Sequence, residues 1–200
     1  MIDSLVQGAR SLPPVSAGTL SALRRAGSEV SGRVDRLLSG REDASPLTGG
    51  RLDAMRLNHR HHLGFMQQVL GLGEYAILAR TLPWVYRVYR SMGFRPEYFT
   101  VELNAWLTAY QAVLPAEAVA ELEPVYRWML RSHPYLLGAS AQPAPRPLAP
   151  AGLEGPVDGL EEALLEGDAT LALTIMRNVL DVADRLTLYG QVIPTAMARV

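Results

Sequence analysis

The run 75-YAILARTLPWVYRVYRSMGF-94 decides the fold. Its apolar residues Leu78, Leu82, Val85, Tyr89 and Met92 recur at steps of four, three, four and three, the repeat of one face of an α-helix. Gly93 follows directly and suits the left-handed residue that ends a helix. Pro83 lies inside the pattern, lacks a backbone donor, and is expected to kink the helix or mark a restart.

The same phasing continues on both sides of this run. Downstream, Pro96 opens a helix bearing Phe99, Leu103, Trp106, Tyr110 and Val113. Pro115 opens another with Val119, Leu122, Tyr126, Met129 and His133, which Pro134 is expected to end. Upstream, a helix over Leu52 to Leu72 stops at Gly71 or Gly73. Nothing alternates with period two for long enough to make a strand, so the class is all-α. Short connections favour antiparallel neighbours, and residues 51–137 are therefore expected to form an antiparallel helical bundle.

Residues 1–50 read as an N-terminal helical arm and loop. Leu12-Pro13-Pro14 stops a first weak helix, and Ser16 or Thr19 caps a second that runs to about Ser39. The face of that second helix is Leu20, Leu23, Gly27, Val30, Val34 and Leu37, opposite Arg24, Arg25, Arg33 and Arg36. The arginines read as a solvated surface. Residues 40–50 hold Pro46 and Gly49 and read as a flexible loop. Residues 138–156 are rich in Pro, Ala and Gly with no apolar period, which makes them a linker. Residues 157–200 form a helical tail.

Composition narrows the chemistry. The formal net charge is −1, so no electrostatic footprint points to nucleic acid or an anionic membrane as partner. All 19 basic residues are Arg, and Cys is absent. Schiff-base, thiol and disulfide chemistry are therefore excluded, with thiolate metal sites and thioether-attached tetrapyrroles. No apolar run approaches bilayer length and no secretory leader opens the chain, so a cytoplasmic protein is expected. No Gly-x-Ser-x-Gly elbow, phosphate loop or His-Glu-x-x-His helix occurs, and the chain is expected not to be an enzyme.

Two groups of residues could hold a ligand. His59, His61 and His62 lie on one predicted helix, where His59 and His62 share a face and His61 points away. Met55, Met66 and Val69 place His62 toward a core or a pocket, and His133 ends the stripe of its own helix. Trp84, Tyr86, Tyr89, Trp106, Tyr110, Tyr126 and Trp128 give residues 51–137 their aromatic density. The plainer reading is an aromatic core with the buried histidines in inter-helix hydrogen bonds. The sharper one is a flat pocket rimmed by Arg87, Arg90, Arg127 or Arg131, able to take a haem or bilin. On that reading His62, His133, Trp84 and Trp106 are the cofactor-binding candidates.

The tail carries ALLEGD at 163–168 and VIPTAMARV at 192–200, separated by an amphipathic stretch in which Ala172, Met176, Val179 and Ala183 form a stripe. Asp168 is its natural N-cap. This layout resembles the start of the helical cap of cobalamin-binding modules, as in methionine synthase, corrinoid methyl-transfer proteins and B12-dependent light sensors. HHLGFM at 61–66, the run from Leu70 to Phe94, the Pro-led helix pair and the linker are similar to the helical region that precedes this module in some bacterial sensors. Some of those regions are globin-like or bundle-like, and related proteins pair B12 with a bilin or haem.

The resemblance implies a regulatory region of a B12-dependent sensor, with residues 157–200 an incomplete cap. The family's cobalt-ligating Asp-x-His-x-x-Gly loop is absent from these 200 residues, so the chain alone is expected not to bind cobalamin tightly. A flat-tetrapyrrole sensor and a helical interaction scaffold are the alternative readings. The apolar faces of the tail, including Leu173, Leu180, Ile193 and Met197, need cover, which predicts a homodimer through the C-terminal helices.

Overall fold

The computed structural model describes residues 2–141, 148–197 and 199. It is all-α, and no strand occurs among the described residues. The chain divides into two compact units, Met1–Ala141 and Gln142–Val200.

The first unit contains α1 (Ile2–Arg10), α2 (Ala17–Ser39), α3 (Ala44–Leu47), α4 (Leu52–Leu72), α5 (Tyr75–Ser91), α6 (Glu97–Val113) and α7 (Ala116–Ala141). Its core takes residues from every apolar stripe: Leu82, Phe99, Leu103, Trp106, Leu122, Tyr126 and Met129 are all buried. Val85 is only partly buried, because it lines an opening described below. The stops act as their backbones dictate. Gly73 caps α4 at φ 67°, and Gly93 follows α5 at φ 90°.

Residues 1–50 are not an arm. α2 packs along α6 and α4, and α1 packs on α5 and α7. Leu23, Val30 and Val34 of α2 are fully buried. Gly27 on the same face sits at a close approach, where a Cβ would meet Leu63 Cδ2 at 3.0 Å. Ser16 caps α2 by accepting from the Thr19 amide at 3.2 Å, and its four arginines are exposed. Leu38 is buried where Leu37 was expected.

Nor is residues 40–50 a free loop. Leu47 and Thr48 are buried, the Arg95 amide donates to the Leu47 carbonyl at 2.9 Å, and Gly49 lies against Gly93. A side chain at Gly49 would strike the Gly93 carbonyl oxygen at 2.7 Å.

The stop expected at Pro134 was overruled by packing. Pro83 lies within a continuous α5, and α7 runs through Pro134 to Ala141. An interior proline costs a helix about 3 kcal/mol. Beyond Pro134, Leu136 is fully buried and Arg90 donates to the Ser140 hydroxyl at 3.2 Å, which offsets that loss. The predicted linker therefore begins later. Residues 142–147 of it lie outside the described residues, and α8 starts at Glu154.

The second unit contains α8 (Glu154–Glu166), α9 (Ala169–Val182), α10 (Arg185–Thr187), a π-helical turn (Leu188–Val192) and α11 (Ile193–Met197). Gly167 ends α8 at φ 72°, and Asp168 caps α9 by accepting from the Leu171 amide at 2.9 Å. Asp184 repeats the device by accepting from the Thr187 amide at 2.7 Å. The unit has a core of its own, built on Val157, Leu160, Ala163, Val179, Leu188 and Val192. Arg199 reaches back to Asp158 at 2.6 Å.

The tail's stripes thus find much of their cover within the tail. Ala172 and Val179 are buried, while Leu173 and Leu180 remain 53% and 41% exposed. Leu160→Ala is expected to destabilise this unit by about 2–5 kcal/mol. All three tryptophans lie at 84, 106 and 128. The loss should therefore show as an early fall in helical ellipticity that tryptophan fluorescence does not follow.

Candidate functional site

Three chains of polar contacts run through the aromatic core of the first unit. In one, His59 Nδ1 on α4 donates to Asp35 Oδ1 on α2 at 2.5 Å, and Nε2 lies 3.1 Å from the Tyr98 hydroxyl on α6. Glu102 Oε1 is 3.9 Å from the same Nε2 and accepts from Trp106 Nε1 at 3.4 Å. In the second, His62 Nε2 lies 2.9 Å from the Tyr126 hydroxyl on α7, which lies 2.6 Å from the Tyr110 hydroxyl on α6. In the third, Tyr86 on α5 pairs with His133 Nδ1 on α7 at 3.0 Å.

The electrostatics follow from burial. Desolvation raises the Glu102 carboxyl, opposed by the neighbouring His59 and the Trp106 hydrogen bond. Tyr98 and Tyr126 are pushed well up, chiefly by the same desolvation. His62 is pushed down to about 3, first by desolvation and then by His59, so its ring is neutral at physiological pH. His133 is lowered by burial as well.

These histidine shifts have a measurable consequence. The folded His62 ring stays neutral while the unfolded ring takes up a proton near 6.5. Stability is therefore complete above that pH and falls as the pH drops from about 6.5 toward 3. The slope is at most about 1.4 kcal/mol per pH unit for this group. The urea midpoint should fall between pH 7 and pH 5, and His62→Gln should flatten that fall. An equal fall in the variant would assign it to His133 or another group.

α4 and α5 are consecutive but pack sparsely, and a cleft opens between them. It encloses about 270 Å³, just below the range of about 300–1,000 Å³ usual for ligand sites. α4 contributes Asn58, His61, His62 and Phe65, at the spacing of one helix face. α5 contributes Leu78, Leu82, Val85, Val88 and Tyr89 with Thr81 and Trp84. The amide nitrogen of Asn58 is buried and has no hydrogen-bond partner. Behind the cleft lies a chamber of about 40 Å³ that shares His62, Leu82, Val85 and Tyr89 and reaches Glu102 and Met129. Two larger grooves, between α2 and α6 and between α1 and α7, are wider and are not lined by a buried polar atom lacking a partner.

The four candidate residues are divided among these features. Trp84 lines the cleft. His62 lines it too, and its ring stacks on Trp106 with centroids 4.8 Å apart. Trp106 itself is fully buried in the core, and His133 pairs with Tyr86. His61 points out of the core, as helix geometry suggested, at the edge of the cleft. It is exposed and lines the cleft beside His62. His59 faces inward and is fully buried.

The proposed arginine rim is not assembled. Arg127 pairs with Glu123 at 3.0 Å, Arg90 bonds to Ser140, and Arg131 lines the groove between α1 and α7. The cleft walls carry no Arg for a propionate, and Nε2 of His62 is held by Tyr126. These residues do not fit a tetrapyrrole in the cleft. Among the described residues no three His, Asp or Glu side chains converge as a metal-binding group. Asn58, Asp35 and Glu102 were not visible as site residues, since an Asn or carboxylate on a helix reads as surface until its neighbours are known.

No family model, no curated protein and no solved structure matches this chain.

Proposed function

We propose that the chain is a sensory, non-catalytic protein whose first unit holds a small flat ligand between α4 and α5. The observation that carries this reading is the cleft itself, about 270 Å³, mostly apolar, walled by Phe65, Trp84 and Tyr89 and lined by His62. The wiring behind the cleft suits a sensor. His62 touches both the cleft and the Tyr126–Tyr110 pair, so a ligand that shifts α4 changes bonds to α6 and α7. A ligand that contacts His62 in one arrangement of α4 more than in another biases the fold between them.

The cap-like layout of ALLEGD, its Asp168-capped helix and the following turn supports placing this sensor in a regulator of cobalamin type. The second unit would there take the part of the cap segment. Among the described residues no helix is long and apolar enough to cross a membrane, and the proposal places the chain in the cytoplasm.

The test is binding of a neutral flat probe, N-phenyl-1-naphthylamine, to the whole chain. One saturable site per chain is expected, lost in Val85→Trp, which fills the cleft. Absence of saturable binding would leave the helical scaffold as the better reading.

A second reading, self-association, is favoured by the exposure of Leu173 and Leu180 on α9. Arg at Met176 and Val179 would not test it, because Val179 lies in the unit's own core. Leu173→Arg with Leu180→Arg should turn a dimer into a monomer in light scattering without loss of helix. A monomeric wild-type chain at high concentration would dispose of this reading.

A further inference from the structure

We infer that the groove between α1 and α7 binds a small organic monocarboxylate with an apolar, ring-bearing body. The groove shares no residue with the α4–α5 cleft, and the inference does not depend on that cleft. It holds about 420 Å³, within the range usual for ligand sites. α1 contributes Ser4 and Leu5, and α7 contributes Trp128, Arg131, Ser132 and Tyr135, at the spacing of one helix face. Trp128 and Ser132 are only 6% and 5% exposed. Neither the indole N–H nor the Ser132 hydroxyl bonds to a group among the described residues. Both still meet solvent, because the sealed, unpartnered side-chain atoms of the described residues are Ser39 Oγ and Asn58 Nδ2. Other hydroxyls on α7 and α3 turn back on their own helix, as Ser140 donates to the Leu137 carbonyl and Thr48 to the Ala44 carbonyl. Ser132 does not, so its hydroxyl is left for a ligand. Gly8 keeps the indole N–H uncovered: a Cβ there would stand 3.1 Å from Trp128 Nε1.

Charge selects the ligand class. Arg131 is exposed and forms no ion pair among the described residues, and the lining holds no Asp or Glu. The groove therefore carries one positive charge, an indole donor and hydroxyls. A carboxylate accepts from all of these together, and the guanidinium matches it in shape. A dianion would bring a second charge that has no partner there. Leu5 and the rings of Trp128 and Tyr135 form the apolar remainder, which suits a ring rather than a wholly hydrophilic body.

The experiment compares 2-naphthoate with 2-naphthamide, the same skeleton without the charge, by calorimetry on the whole chain. Naphthoate should bind at one site per chain, about tenfold more tightly than the amide, the increment of a charge-assisted hydrogen bond. Arg131→Gln should remove that advantage and leave amide binding intact, and because Arg131 is exposed the variant keeps the core unchanged. Trp128→Phe, which keeps a ring and removes the N–H, should weaken naphthoate about tenfold. Arg127→Gln, one turn away and already paired with Glu123, should leave both affinities as they are. Equal affinity of the two compounds for the wild-type chain would overturn the inference. So would a naphthoate advantage that survives Arg131→Gln, since the carboxylate would then be held elsewhere. Displacement of naphthoate by an equal concentration of inorganic phosphate would overturn the monocarboxylate class.

Discussion

Trp106→Ala is expected to lower the unfolding free energy of the first unit by about 3–5 kcal/mol. The indole is fully buried, and three effects act together on its removal. A cavity replaces the largest buried side chain of the core, His62 loses the ring stacked on it, and the raised Glu102 carboxyl loses its indole donor. Domains are stable by only about 5–15 kcal/mol, so this one substitution removes a large share. Urea unfolding followed by the fluorescence of Trp84 and Trp128 measures it. Trp106→Phe should recover part of the loss by refilling the space, but not the Glu102 bond. An unchanged midpoint in Trp106→Ala would show that the ring is not in the core.

His59→Ala is expected to cost a similar amount, about 3–5 kcal/mol, by a different mechanism. The ring touches Asp35 at 2.5 Å and Tyr98 at 3.1 Å, and it lies 3.9 Å from Glu102, so it ties α2, α4 and α6 together. Its loss leaves the buried Glu102 and the partly exposed Asp35 without their shared partner. The distinguishing measurement is a double-mutant cycle with Glu102→Gln. Residues in one network couple by about 0.5–3 kcal/mol, so the double variant should be less damaged than the sum of the singles. Strict additivity would mean that Glu102 does not feel His59. A single-variant loss below about 1 kcal/mol would put His59 outside the set of strong core contacts.

The interior of this molecule was partly legible before its structure. Leu82, Phe99, Leu103, Trp106, Leu122, Tyr126 and Met129 were placed inside by period alone, and all are buried. Val85 belonged to the same pattern and lines the cleft instead. Periodicity cannot tell a residue packed against a neighbour from one facing a gap between two helices. Of the four ligand candidates, His62 and Trp84 line the cleft, Trp106 is buried in the core and His133 pairs with Tyr86. The tail's stripe was read correctly at Ala172 and Val179. Its cover was not, because nothing in residues 168–183 says that α8 folds back against them.

Sequence by itself determined the all-α class, the phase of each strong helix, the stop at Gly93 and the starts at Pro96 and Pro115, and it left the end of α4 open between Gly71 and Gly73. These are local properties. A helix face repeats over three and four residues, and a glycine or proline acts through its own backbone angles. Only the tertiary structure decided that α2 belongs to the core, that α7 passes through Pro134, and that Asn58 faces a cleft. It also decided the polar partners: Asp35 with His59, His62 with Tyr126, and Tyr86 with His133, which are 24, 64 and 47 residues apart. Such pairs depend on where two helices cross and at what register. Crossing and register are set by packing summed over whole helix faces, and no window of one helix contains them.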